Sequence, residues 1–329
     1  FDAETLWLSR DPSNAKRPGT LSQGVFGAKV GVPLILKFLR ERALKATFFV
    51  PGAVVERYPD TCREIVAQGH EVGHHGYLHE WVDPGDPQRE VEVMTKGLNA
   101  LEQVLGVKPV GYRSPAWETS DNTLKLLLEH GFRYSSNFMD DLKPYCHEID
   151  GRRVDLVELP VAWVLDDAPF TLFSVKAPSR PIFSTSHILE VWKEEFQGIY
   201  EYGGLCMLTM HPQFIGRPSR IAMLGRFLDY VGRFPGVWIA NAAEIAEWYA
   251  KTFGFEAKEI SPDIERMVSA NVARLRAGMR GRVRLSCLRG GRGDGRGQRS
   301  AVSPGASFRA ARLSGCARYT GRGDADAHA

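Results

Sequence analysis

The chain has no apolar run near the roughly 18 residues needed to cross a bilayer, and its first residues carry neither a basic segment nor an apolar signal core. A soluble protein is expected. Cysteine is sparse: Cys62, Cys146, Cys206, Cys287 and Cys316 are scattered, odd in number and never spaced C-x-x-C. That excludes a disulfide framework and a cysteine zinc site, and makes a reducing, cytoplasmic setting the expectation. Ser114 sits in no Gly-x-Ser-x-Gly elbow. No Gly-x-x-x-x-Gly-Lys-Ser/Thr loop exists, and no Gly-x-Gly-x-x-Gly opens a helix after the first strand, so three common catalytic and nucleotide-binding devices are excluded. Lysine and glutamate are missing from residues 274–329, which hold 13 Arg against three Asp. The other 273 residues carry 29 basic and 36 acidic groups, so the net charge of +3 conceals an acidic body. Such a body argues against nucleic acid as the partner of the folded part.

At 329 residues and 43% hydrophobic content, the chain can bury a large core. Up to about residue 255 it alternates short β-rich runs with amphipathic helical runs, the pattern of repeated βα units and a mostly parallel sheet. Strands are predicted at 46–50, 71–73, 110–113, 132–135, 156–161 and 237–240. The continuous apolar run 205–210 reads as a strand buried on both faces. Helices are predicted at 32–44, 53–68, 88–105, 121–130, 186–202, 220–233 and 242–252. The simplest assembly is one α/β barrel occupying residues 1–255. Apart from a helix predicted at 262–277, residues 256–329 are Arg/Gly-rich with few large apolar side chains, and read as a disordered tail. Its composition suits an anionic-surface binder, but more closely suits GC-rich DNA translated out of frame.

The residues with the clearest chemistry are His75 and His79. Their H-x-x-x-H spacing lets two imidazoles reach one divalent metal at about 2.0–2.1 Å, although two solvated neighbours on a helix face would show the same spacing. Four clusters end predicted strands: Asp2-Ala3-Glu4, His75/His79, the run Gly111-Tyr112-Arg113-Ser114-Pro115-Ala116-Trp117-Glu118, and Thr209-Met210-His211-Pro212. In a parallel barrel all four lie on one rim and form one site.

Together with "GVFGAKVGVPLILKFL", "KATFFVPG", "ELPVAWVLDD" and "LTMHPQFIGRPSR", these runs resemble the polysaccharide deacetylase family, carbohydrate esterase family four. The likeness is to its bacterial branch of peptidoglycan-deacetylase-like and cyclic-imide or allantoin hydrolases. It implies a distorted (β/α) barrel and a Zn²⁺-dependent hydrolase of non-peptide carbon-nitrogen bonds, acting on N-acetylated sugars. Carried over by motif, the metal ligands are Asp2, His75 and His79; His74 is left out. His211 matches the general acid, with Asp166 or its neighbour Asp167 tuning it. Arg113 matches the arginine that holds the family's general base. Tyr112, Trp117 and Trp163 are expected to wall the substrate site, although an aromatic after Pro serves a core as readily as a pocket.

The family opens on Asp-x-Asp, of which Phe1 and Asp2 match the last two positions. The base therefore falls outside the chain, and an N-terminally truncated, catalytically impaired metal- or sugar-binding protein is one expectation. Glu4 is a weak substitute, since the strand points it elsewhere. A ring-opening amidohydrolase acting on cyclic imides or ureides is the rival enzyme reading, favoured by the lack of a signal core. The resemblance also implies a homo-oligomer. Arg217 and Arg220 suit either an anionic substrate group or a helix cap.

Overall fold

The structure is a computed structural model that describes residues 1–173 and 181–253. The predicted tail at 256–329 and the helix at 262–277 lie outside the described residues. Six strands form one sheet: β1 Thr47–Val50, β2 Glu71–His74, β3 Gly111–Tyr112, β4 Tyr134–Ser135, β5 Tyr145–Ile149 and β6 Arg152–Glu158. The order is β1-β2-β3-β4-β6-β5, parallel throughout except for the antiparallel β5/β6 pair. Among the described residues no hydrogen-bonded ladder closes this sheet on itself.

The steps β1 to β2, β2 to β3 and β3 to β4 pass through helices, β4 reaches β6 through β5, and helix ends are written in the sequence. Helix Pro87–Leu105 begins where the Asp86 carboxylate accepts from Arg89 N, and stops at Gly106, whose φ of 65° costs glycine little. Helix Thr185–Tyr202 is capped by the Ser184 hydroxyl and stopped in the same way by Gly203. Helix Val32–Glu41 buries Val32, Leu36 and Leu39, spaced i, i+4, i+7, in the largest apolar cluster, with Val50, Val54 and Ile65.

The structure corrects three expected elements. The helix predicted at 53–68 is two, Gly52–Arg57 and Pro59–Ala67, because Pro59 lacks the N–H that a continuous helix would need. The run 205–210 is not a strand buried on both faces: only Thr209 is buried, and one parallel bridge pairs it with Asp166. No strand forms at 237–240, where Trp238 and Ile239 are exposed. Both segments line one cavity of about 690 Å³ beside β1. The run 205–210 also packs in alternation, half-buried, with Cys206, Leu208 and Met210 on the largest apolar cluster and Leu205 and Met207 on the cluster of Phe49 and Tyr134.

Candidate metal centre

The site lies beyond the C-terminal ends of the parallel strands, where each strand's alternation decides which side chain enters. At the end of β2, His74 turns away: it is fully buried, with Nε2 3.1 Å from Met94 O and its ring against Tyr112 and Phe132. His75 turns in. At β3 the same alternation sends Tyr112 into the core with Met94, Leu126 and Phe132, while Arg113 enters the site. Tyr112 is therefore a core residue, contrary to its expected place on the substrate wall.

Asp2, His75 and His79 bring one ligand atom each within 4.8 Å of one another, all three residues buried. His75 Nε2 is 3.5 Å from Asp2 Oδ1, and His79 Nε2 is 3.8 Å from Asp2 Oδ2. Behind each ring stands a second partner. His75 Nδ1 donates to the Arg113 carbonyl at 2.5 Å. His79 Nδ1 is 3.1 Å from Ser9 Oγ, whose own hydrogen goes to Leu6 O, so the serine accepts from the ring. Both Nε2 lone pairs are thereby turned toward Asp2, the tautomer that a metal requires. Asp2 Oδ2 is buried without a hydrogen-bond partner, an orphaned oxygen that a cation would satisfy. His79 adopts a left-handed φ of 62° and Ala3, next to Asp2, one of 45°, so two ligand-bearing segments hold strained backbone.

The electrostatics suit the same use. Burial pushes His79 down to about 4 and His75 well below its ordinary value, against the upward pull of Asp2, so both are neutral at pH 7. Burial would raise the Asp2 carboxyl. In the acid range where Asp2 titrates, the imidazoles of His79, His211 and His75 are protonated, and their charge helps hold Asp2 well below the usual carboxylate range.

His211 faces the centre from the other side, its Nε2 3.5 Å from Asp2 Oδ2. Burial opposes its charge, but Asp166, Asp167 and Asp2 raise it to about 9. Behind the ring, Nδ1 donates to Asp167 Oδ1 at 2.7 Å rather than to the expected Asp166. Asp166 stands 3.7 Å away because its Oδ1 accepts from Ala168 N. Burial brings the Asp166 carboxyl up to about 6.

Arg113 is buried, donating to Ser136 O, Ser136 Oγ and Thr209 Oγ1, with its guanidinium 4.5 Å from the Phe49 ring centre. Burial lowers it to about 10, which leaves it cationic. Trp117 and Trp163 stack at 4.0 Å and line the cavity. Trp163 is 44% exposed, and Trp81, which sequence reasoning passed over, joins them at the cavity wall. Glu4 is turned elsewhere, accepting from Arg57 Nε at 2.9 Å and Tyr58 OH at 2.6 Å. Arg217 stacks on Phe26, and Arg220 donates to Phe214 O. Ser9, Ser136 and Asp167 complete the site, the first two without any motif to mark them.

The profile of the family described as Polysaccharide deacetylase matches residues 26–135. The peptidoglycan deacetylase of Helicobacter pylori is 33% identical over 277 residues, covering 76% of this chain and 94% of its own. A crystal structure from Mycobacterium smegmatis, provisionally called a polysaccharide deacetylase, superposes with a TM-score of 0.74 at 40% identity, covering 79% of this chain and 91% of that one. The crystal structure of Puue allantoinase superposes at 0.63 and 28% identity, covering 71% and 76%.

Proposed function

The chain belongs to the polysaccharide deacetylase family, and from that premise we propose that it is a divalent-metal-dependent hydrolase that removes acetyl groups from N-acetylated sugars of the peptidoglycan type. The observation that carries this reading is the convergence of His75 Nε2 and His79 Nε2 on the orphaned carboxylate of Asp2, each ring fixed from behind. Two imidazoles and one carboxylate leave room in the coordination shell, as a catalytic rather than a structural zinc site does.

When bound, the metal supplies a Lewis acid that acidifies water and polarises the scissile amide. Asp2, His75 and His79 would hold it. His211, kept protonated by Asp166 and Asp167, carries a proton at Nε2 on the same side as Asp2 Oδ2 and delivers it to the leaving nitrogen. Arg113 brings a fixed positive charge to the cavity wall, and Trp117 with Trp163 forms an apolar face against which a sugar ring can lie.

Zinc analysis of the protein and of His75→Ala/His79→Ala, paired with acetate release from N-acetylglucosamine oligomers, tests the reading. The expected result is zinc bound by the first and lost by the second, with acetate released only by the first. Equal zinc in both sinks the metal assignment. The likeness to Puue allantoinase favours a second reading, ring opening of cyclic imides or ureides on the same centre. Turnover of such rings without acetate release would select it.

A further inference from the structure

One helical run touches both halves of this site. Helix Pro18–Phe26, the π-turn Gly27–Gly31 and helix Val32–Glu41 are continuous, with helical backbone angles at both junctions. π-turns are rare and, where they interrupt an α-helix, recur at functional positions. Gly24 lies against the backbone that follows Asp2: a Cβ on it would come closer than 3.0 Å to Ala3 C and Glu4 N. Gly31 lies against the residue that follows His211: a Cβ there would come closer than 3.0 Å to Pro212 C and O. In both cases the obstacle is backbone, which cannot swing aside as a side-chain end can. Ala3 is fully buried and held at its left-handed φ, so the segment carrying Asp2 is set by what packs on it. Asp2 Oδ2 and His211 Nε2 finish 3.5 Å apart.

We propose that Gly24 and Gly31 are positioning residues, and that the π-turn between them sets the separation of the Asp2 ligand from the His211 proton carrier. The inference rests on the functional reading given above. Its physical basis is that an added methyl at either glycine must displace backbone one residue from a reacting group. A misplacement of about 1 Å can cost about 10²-fold in rate.

The two contacts fall on different halves of the site, so their losses should separate. Zn²⁺ affinity, kcat and KM on whichever of an N-acetylglucosamine oligomer or a cyclic imide the protein turns over, and thermal melting are measured for Gly24→Ala and Gly31→Ala. Gly19→Ala, on the same helix with nothing within 4 Å of the added carbon, is the control. Gly24→Ala should weaken Zn²⁺ binding by about tenfold or more, and adding Ala3→Gly, which relaxes the strained neighbour, should restore it. Gly31→Ala should lower kcat by about 10²-fold with Zn²⁺ affinity kept. Gly216→Ala meets the same Pro212 oxygen, and the Gly31 Cα beside it, and should reproduce that effect if Gly31→Ala does not fold.

Parallel loss of metal and rate in both variants, tracking the melting temperature, overturns the proposal, as does wild-type behaviour in both. Failure of every glycine variant to fold, the Ala3→Gly/Gly24→Ala pair included, also overturns it, because the contacts then hold up the fold rather than set the site. A protein that binds no Zn²⁺ before any substitution defeats the functional reading itself; one that binds it while the variants fail to separate defeats only the positioning.

Discussion

The two halves of the site use the same side chain in opposite charge states. His75 and His79 are pushed down by burial and stand neutral, while His211, turned toward the same Asp2 carboxylate, is raised to about 9. Proximity to Asp2 does not separate them, since all three Nε2 atoms lie within 3.5–3.8 Å of its oxygens. The difference lies behind the rings. A backbone carbonyl and a serine hydroxyl stand behind the first two, whereas two carboxylates stand behind the third. A neutral acceptor orients an imidazole and leaves its lone pair for a cation; an anionic acceptor keeps the ring protonated. In the proposed mechanism this is the division between metal ligand and proton donor.

The comparison breaks most sharply at His211. His211→Ala should lower kcat by about 10²–10⁴-fold while zinc content stays at the wild-type level, measured by steady-state kinetics beside metal analysis; loss of zinc would make His211 a ligand and merge the two halves. Asp167→Asn is a milder version. It removes an anion that raises the His211 pKa, so the protonated ring is lost at lower pH, and the alkaline limb of kcat/KM should move downward. A limb that stays in place would mean that Asp166 alone governs the ring. On the metal side, Ser9→Ala takes away the acceptor behind His79 and should weaken zinc affinity by about tenfold, with kcat at saturating zinc little changed.

How much of this was legible in the sequence divides along similar lines. The strand-helix alternation through β4 and the rim clusters could be read because each is local: apolar period, caps and strand-end polar residues sit within a few positions of one another. The helices predicted to end at Leu105 and Tyr202 end there, each followed by a left-handed glycine. Ser9 and Ser136 could not be selected, and Asp167 could not be chosen over Asp166, since their roles depend on rings and guanidinium groups far away in sequence. The run 205–210 misled for a related reason. Its side chains do alternate between two apolar clusters, but they stay half-buried beside a cavity and only Thr209 forms a bridge, which apolar composition cannot reveal. Trp238 and Ile239 raise the same ambiguity on the other side of that space.

Tyr112 and Trp163 give the smallest and most diagnostic contrast, because both looked like substrate contacts and the structure treats them differently. Strand alternation points Tyr112 away from Arg113 and into the cluster of Met94, Leu126 and Phe132. Trp163 remains 44% exposed, stacked face to face on Trp117 at the cavity wall. A substrate held on this aromatic face loses binding in the ground and transition states alike when the face is trimmed, which raises KM and spares kcat. Trp163→Ala should therefore raise KM a few-fold with the melting temperature nearly unchanged. Tyr112→Ala should do the reverse, lowering thermal stability through the cavity it opens, by about 3–5 kcal/mol if it behaves as other large aromatic truncations do, with KM kept in the fraction that remains folded. If instead Trp163→Ala destabilises the fold and leaves KM alone, the stacked pair is a packing feature and the substrate meets the site from another side.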